Sequence, residues 1–294
     1  MTNGVKAVLD RLYAARSPLH LANDPLSFCH RFSDPGDRET AAVIASAFAY
    51  GGIKIILRTL ESIFAELGPS PRRYVETFRP RTALKTFGGF KHRFNDGRDL
   101  VALLWATRLM VQAAGSVNEY FLRFHDPAAQ DVTASLNGYS SAVLALDYQP
   151  VFGSREPPPG SYFPFLFPAP AAGSACKRLC MFLRWAVRPA DGIDLGIWHG
   201  VAPSQLVIPV DTHISRICSY LGFTGRASAG WRMACDITGA LRCFDPLDPV
   251  KYDFSLAHLG ISEGCDGTDR LHCLTCSIRE VCPQMVVLAQ SAVV

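Results

Sequence analysis

The chain has 294 residues, 49% of them apolar and 19% charged, with a formal net charge of +3. That composition excludes a disordered polyelectrolyte and suits one large domain or two smaller ones around a cleft. No apolar run is long enough to span a bilayer, and "MTNGVKAVLDRLYAARS" lacks the basic start and long apolar stretch of a signal peptide, so a cytoplasmic protein without membrane attachment is expected.

The periodicity is helical nearly throughout. After "SDPGDRET", residues 39–49 form a short apolar helix, broken by Gly51-Gly52. Ile53, Ile56, Leu57, Leu60, Ile63, Phe64 and Leu67 then recur at helical spacing, and "GPSP" stops that helix. From Arg72 to Arg98 eight Lys or Arg residues face only Glu76 and Asp96. Such a single-sign patch either binds phosphate or is an ordinary solvated face. Asp99 can cap the next helix, which holds Leu100, Leu103, Leu104 and Leu109, and a further helix runs near Val117 to Phe124. Residues 148–172 are proline-dense and predict a long extended loop. The following helix begins near Ser174, has Leu179, Phe182, Leu183, Ala186 and Val187 on one face, and ends at "RPADG". Its start, "KRLCMFLRWAVR", carries four basic residues and no acid. Another helix starts at Asp211 with Ile214, Ile217, Cys218 and Leu221 facing inward, and two more follow near 229–242 and 253–262. There is no sustained strand alternation and no internal repeat. The predicted class is all-α.

Six of the ten cysteines (Cys29, Cys176, Cys180, Cys218, Cys235 and Cys243) are scattered in apolar surroundings and read as reduced, buried small hydrophobes. The other four form Cys265-x7-Cys273-x2-Cys276-x5-Cys282. A cytosolic chain disfavours disulfides, which directs these four toward a metal. Zinc and an iron–sulfur cluster both accept four thiolates, and spacing alone leaves both open.

This spacing, preceded by "LAHLGISEGC", resembles the C-terminal loop of the endonuclease III and adenine-glycosylase branch of the helix–hairpin–helix DNA glycosylase superfamily, with one residue more in the first gap. The resemblance implies a [4Fe–4S] cluster on Cys265, Cys273, Cys276 and Cys282, zinc being the alternative. "IPVDTHISRIC" is similar to the family segment that carries the catalytic Asp, which falls on Asp211; read without the family, an Asp there is a helix N-cap. "PAAGSACKRLCMFL" is similar to the family hairpin. Gly173 matches its first glycine, Ala175 replaces the second, and Lys177 falls on the catalytic lysine. Gly173, Ser174, Ala175 and Arg178 are then expected to meet DNA phosphate. "DPVKYDFSLAHLG" is similar to the helix that faces the flipped base in purine-recognising relatives, which makes Tyr252, Asp253 and Phe254 pocket candidates; the plain alternative is a turn with Asp253 as N-cap. Trp185 and Trp198 are expected in the core, and His213 in a structural role. Lys177 and Asp211 stand 34 positions apart, a gap similar to that of the archaeal 8-oxoguanine glycosylase branch, which suggests an oxidised purine as substrate. "IDLGIW" and "DPVKYDF" also look like an uncharacterised bacterial family known only as a domain of unknown function.

The resemblance implies a two-lobed fold. Residues 37–195 would be a helical barrel lobe, with the helix–hairpin–helix-like segment at about 163–188. Residues 1–36 and 196–294 would form the second lobe, with the cluster loop at 265–282. The implied function is base-excision repair as a monomer on double-stranded DNA of the nucleoid. Asp211 would stabilise charge on the sugar while Lys177 forms a Schiff base and acts as AP lyase. A free lysine near pKa 10.4 is only about 0.04% neutral at pH 7, and lowering that by roughly 3 units costs about 4 kcal/mol. A buried cleft beside Arg178 is expected to supply it. The alternatives are a non-catalytic iron–sulfur DNA-binding or repair-accessory protein, and a zinc-stabilised protein with an unrelated site.

Overall fold

The structure, a computed structural model, describes residues 2–16, 18–261, 263–266 and 269–283. Helix α1 spans Thr2–Ala15 and is followed by 3₁₀ turns at Pro18–Asn23 and Pro25–Arg31. Helix α2, Pro35–Ala47, begins on a proline whose missing N–H costs nothing there, and Asp34 caps it by accepting from the Asp37 N–H at 3.0 Å. Helix α3, Ile53–Leu67, buries the predicted stripe of Ile56, Leu60, Ile63, Phe64 and Leu67. Two short helices not anticipated from periodicity follow, α4 (Pro71–Thr77) and α5 (Pro80–Thr86), each opened by proline.

Strands β1 (Lys91–His92) and β2 (Asn95–Asp96) form a minimal antiparallel ladder, the only strand pairing among the described residues. Helix α6 spans Gly97–Ala114. Its cap is Asp96, whose carboxylate accepts from the Arg98 and Asp99 N–H groups; Asp99 reaches back to the Asp96 N–H and completes a capping box. The helix therefore starts earlier than Asp99 predicts. Helices α7 (Val117–Leu122) and α8 (Thr133–Leu144) follow. Residues 148–172 are not fully extended. They hold the single turn α9 (Gln149–Phe152) and 3₁₀ turns at Phe163–Leu166 and Pro170–Ala172, because Phe163, Leu166 and Phe167 need burial. Helix α10 spans Lys177–Val187, α11 Thr212–Tyr220, α12 Trp231–Arg242, α13 Asp253–Ile261 and α14 Arg270–Thr275. The protein is all-α in class. No helix among the described residues is long and apolar enough to cross a membrane.

Helix α2 lies at the centre, against the Pro25–Arg31 turn, α4, α6 and α10. Ala41, Ala42 and Ala45, all fully buried, allow that close approach. Glu39, buried on α2, accepts from Trp198 Nε1 at 2.8 Å and from the Asn118 and Val117 N–H groups at 2.8 and 3.0 Å, so a buried carboxylate holds the open start of α7. Helix α1 lies against α13, where the Tyr252 hydroxyl donates to Asp10 at 2.8 Å. Helix α13 also lies against α11 at Gly260, where any Cβ would collide with the His213 ring. The chain start, α11 and α13 are thereby joined.

Candidate functional site

Helix α10 begins abruptly. Cys176 sits in the left-handed region at φ 48°, supplies no side-chain cap, and turns the chain so that Lys177 is the first helical residue. Lys177, Met181 and Arg184 then share one face at i, i+4 and i+7, and all three line a cavity of about 660 Å³. Across the cavity Asp211 caps α11. Its Oδ1 accepts from the His213 and Ile214 N–H groups, each at 2.9 Å, which leaves Oδ2 for Lys177 Nζ at 3.3 Å. Two groups 34 positions apart in the chain meet at the cavity wall. Lys177 keeps a third of its side chain exposed, so the pair is reachable from outside.

The cavity floor is charged. Arg184 is buried, bonds Asp194 through Nε at 3.2 Å, and forms an ion pair with Asp253 through Nη1. Burial pushes the Asp253 carboxyl up to about 6 against the pull of Arg184. Asp24, which caps the Pro25–Arg31 turn by accepting from the Leu26 N–H at 2.8 Å, also lines the cavity. Burial raises its carboxyl too, although Arg184 and Lys177 oppose the shift. His258, on α13, is depressed to about 4 by burial and by the neighbouring His20 and Arg184, so it is neutral near pH 7.

The pocket candidates separate. Phe254 and Asp253 line the cavity, whereas Tyr252 is fully buried on the other side against α1. Arg178 is not positioned for phosphate. One residue along α10 from Lys177, it points into the interior, where it donates to the carbonyls of Ala47 at 2.8 Å and of Phe165 and lies over the Tyr50 and Phe165 rings. It therefore offers no charge beside Lys177 in the cleft. The predicted hairpin lacks a first helix. Only the 3₁₀ turns Phe163–Leu166 and Pro170–Ala172 precede it, because proline at 164, 168 and 170 removes donors that a helix needs. The Gly173 N–H is already bonded to Pro170 and the Cys176 N–H to Ser174 Oγ, which leaves fewer amides for phosphate than expected; Ala175 is half-buried. Trp185 and Trp198 are buried as expected, Trp185 with one side on the cavity. Asp24, Arg184, Asp194 and the Tyr50–Gly52 rim escaped sequence reasoning. The available signal was Arg184 at seven positions from Lys177, which puts both on one face of α10.

Cys29, Cys176, Cys180 and Cys218 are buried and Cys235 is half-buried, but Cys243 is exposed at the end of α12. Of the C-terminal four, Cys265, Cys273 and Cys276 are buried and Cys282 half-buried. Cys273 and Cys276 each lie within electrostatic reach of both Cys265 and Cys282, and burial followed by those neighbours raises both thiols. Among the described residues, no three His, Cys, Asp or Glu side chains are grouped tightly enough for a single ion. Arg216 on α11 donates to the Cys265 carbonyl, and Tyr220 to that of Asp266 at 3.1 Å, so the helix capped by Asp211 also anchors the cysteine loop.

A family model described as protein of unknown function (DUF2400) matches residues 24–262, a span that holds Lys177, Asp211 and all of the cavity lining except Asn23 but stops short of the cysteine loop. No curated protein and no solved structure matches.

Proposed function

We propose that this chain, which belongs to the DUF2400 family, is a base-excision DNA glycosylase of the helix–hairpin–helix type that acts through Lys177 and Asp211. The observation that carries the reading is their meeting at 3.3 Å on the wall of a cavity of about 660 Å³. A base inside a duplex is unreachable and must be flipped out, at a cost of a few kcal/mol. The cavity is within the size range of small-molecule sites, and Phe254 gives it an aromatic wall. An oxidised purine is the substrate class that the Lys177–Asp211 spacing suggests.

Lysine attacks only when neutral, so its proton passes to Asp211 Oδ2, the acceptor beside it. Nζ then bonds the sugar C1′ as the bond to the base breaks, and the base leaves with the electron pair. As the base departs it takes up that proton, which restores the Asp211 carboxylate beside the positive charge on the sugar and amine. Ring opening yields a Schiff base, from which β-elimination nicks the strand.

The surface supports a polyanionic partner. Of the eight basic residues from Arg72 to Arg98, only Arg72 is ion-paired among the described residues; Arg73, Arg79, Arg81, Lys85, Lys91, Arg93 and Arg98 are exposed. Cys265, Cys273, Cys276 and Cys282 would hold the [4Fe–4S] cluster. Four cysteines in one loop, three of them buried, suit such a donor set, and its contribution there is structural: it would fix the loop that α11 anchors.

Borohydride reduction of the protein on duplexes carrying an abasic site or one of a panel of damaged bases tests the reading. A covalent adduct is expected, lost in Lys177→Ala and reduced on the order of 10²–10³-fold in Asp211→Asn. Base release without an adduct retains the glycosylase and removes the lyase. Neither adduct nor base release on any lesion refutes the proposal and leaves a non-catalytic binding protein.

A further inference from the structure

The turn between β1 and β2 carries an aromatic ledge. Phe94 and Tyr162 are each about half-exposed, and their rings lie nearly parallel, at 21° with centroids 5.3 Å apart. Phe165 meets Phe94 edge-on at 6.2 Å and continues to Tyr50 at 5.3 Å. Tyr50 belongs to the cavity rim, as does Gly51. Gly51 has φ +103°, and a Cβ there would come within 2.9 Å of the Arg93 side chain, so the turn sits directly on the rim.

The ledge is rigidly supported. The Tyr50 hydroxyl donates to Asn95 Oδ1 at 2.6 Å, and buried His92 bonds the Tyr50 carbonyl at 2.9 Å and Thr59 at 2.9 Å. Asn95 donates to the Tyr162 carbonyl at 3.0 Å, and Ser161 to Asp99 at 2.8 Å. Arg93 is held at φ 51°, a left-handed conformation that a non-glycine residue adopts at some cost. Its guanidinium lies over Phe94 at 5.5 Å, and Lys91 and Arg98 are exposed beside it. The nearest acids are occupied: Asp96 caps α6 and Asp99 is buried.

We infer that Phe94 and Tyr162 form a stacking platform for an unpaired nucleobase of the strand that enters the cavity. This rests on the DNA reading above and adds to it where the strand is held. Flat, preorganised rings are what a base stacks on, and the exposed cations around them meet the adjoining phosphates. An acidic protein segment would match the charge alone. The rings favour the base, as does the continuity with a cavity of base-accepting size.

The test uses the full chain and a duplex bearing a non-cleavable tetrahydrofuran abasic analogue, with 2-aminopurine next to it. Binding is expected to quench the 2-aminopurine by stacking. Phe94→Ala/Tyr162→Ala should abolish that change and weaken binding roughly five- to hundred-fold. Phe94→Tyr should retain both, because it keeps a ring, and helical circular dichroism should be the same for all three proteins, since both rings are surface groups. Tight binding of the duplex by the double variant with the same quenching overturns the platform and leaves the DNA reading intact. Absence of any duplex binding by the parent defeats the DNA reading itself, and the platform with it.

Discussion

Asp253→Asn probes the buried charge beneath the cavity. Asp253 titrates at about 6 in the folded protein against an ordinary 3.8, and burial is the main cause. Arg184 lowers it, whereas Asp211 and Asp194 raise it. A raised carboxyl binds its proton more tightly when folded than when unfolded. Its stabilising contribution is thus fully present below about pH 4 and is lost as pH rises toward 6. At about 1.4 kcal/mol per pH unit, the gap corresponds to roughly 3 kcal/mol. Asparagine cannot ionise and still presents an oxygen to Arg184, so the variant lacks this loss. Relative to the parent, Asp253→Asn should gain about 3 kcal/mol between pH 4 and pH 7, apart from a constant offset for the exchanged group. Urea unfolding of both proteins at half-unit intervals measures it, and taking the difference cancels the groups that do not interact with Asp253. A difference that does not vary with pH would refute the argument: Asp253 would then be ionised throughout, with Arg184 compensating its burial completely.

Arg178→Ala should destabilise the fold by about 3 kcal/mol or more, because the carbonyls of Ala47 and Phe165 lose their donor, yet leave the salt dependence of DNA binding unchanged. A smaller salt slope in a folded variant would show that Arg178 reaches phosphate after all. Cys276→Ala should lose bound iron, measured by metal analysis, together with the visible absorption of an iron–sulfur protein; bound zinc in the parent would overturn the cluster assignment. Gly260→Ala should cost about 1–3 kcal/mol in thermal or urea unfolding through the collision with His213, and adding His213→Ala should recover most of it.

Much of the fold was legible where a cap and a periodic stripe coincide. The α3 stripe and Asp211 mark a helix face and a helix start by local chemistry, whereas α2 begins at Pro35, ahead of the 39–49 expected. Helices α4, α5 and α8 were not, for a physical reason. The first two are seven residues long, and α8, "TASLNGYSSAVL", mixes Ser, Asn and Gly through its length and is held by packing more than by propensity. The charged cavity floor was also hidden. Asp253 was a pocket candidate, but Asp24, Arg184 and Asp194 come from three other segments, and an isolated acid shows no sign of the partner it will meet.

Lys177 and Arg178 show the limit most sharply. Neighbouring residues on a helix point about 100° apart, so one of the two faces the cavity and the other the core. Composition and spacing treat them alike. The choice depends on the phase of α10, and that phase is set before the helix begins. Cys176 is buried, and its left-handed turn fixes where the helix starts. Met181 and Arg184 continue the cavity face, while Leu179 and Phe182 continue the side that lies with Arg178. Rotating the helix by one residue would drive Lys177 into the aromatic slot of Tyr50 and Phe165, where its ammonium could not replace the planar, two-carbonyl bonding of the guanidinium. The arginine therefore holds the phase that Cys176 sets, with the lysine facing Asp211. It acts on the proposed chemistry through position, although the sequence places it among the residues that touch DNA.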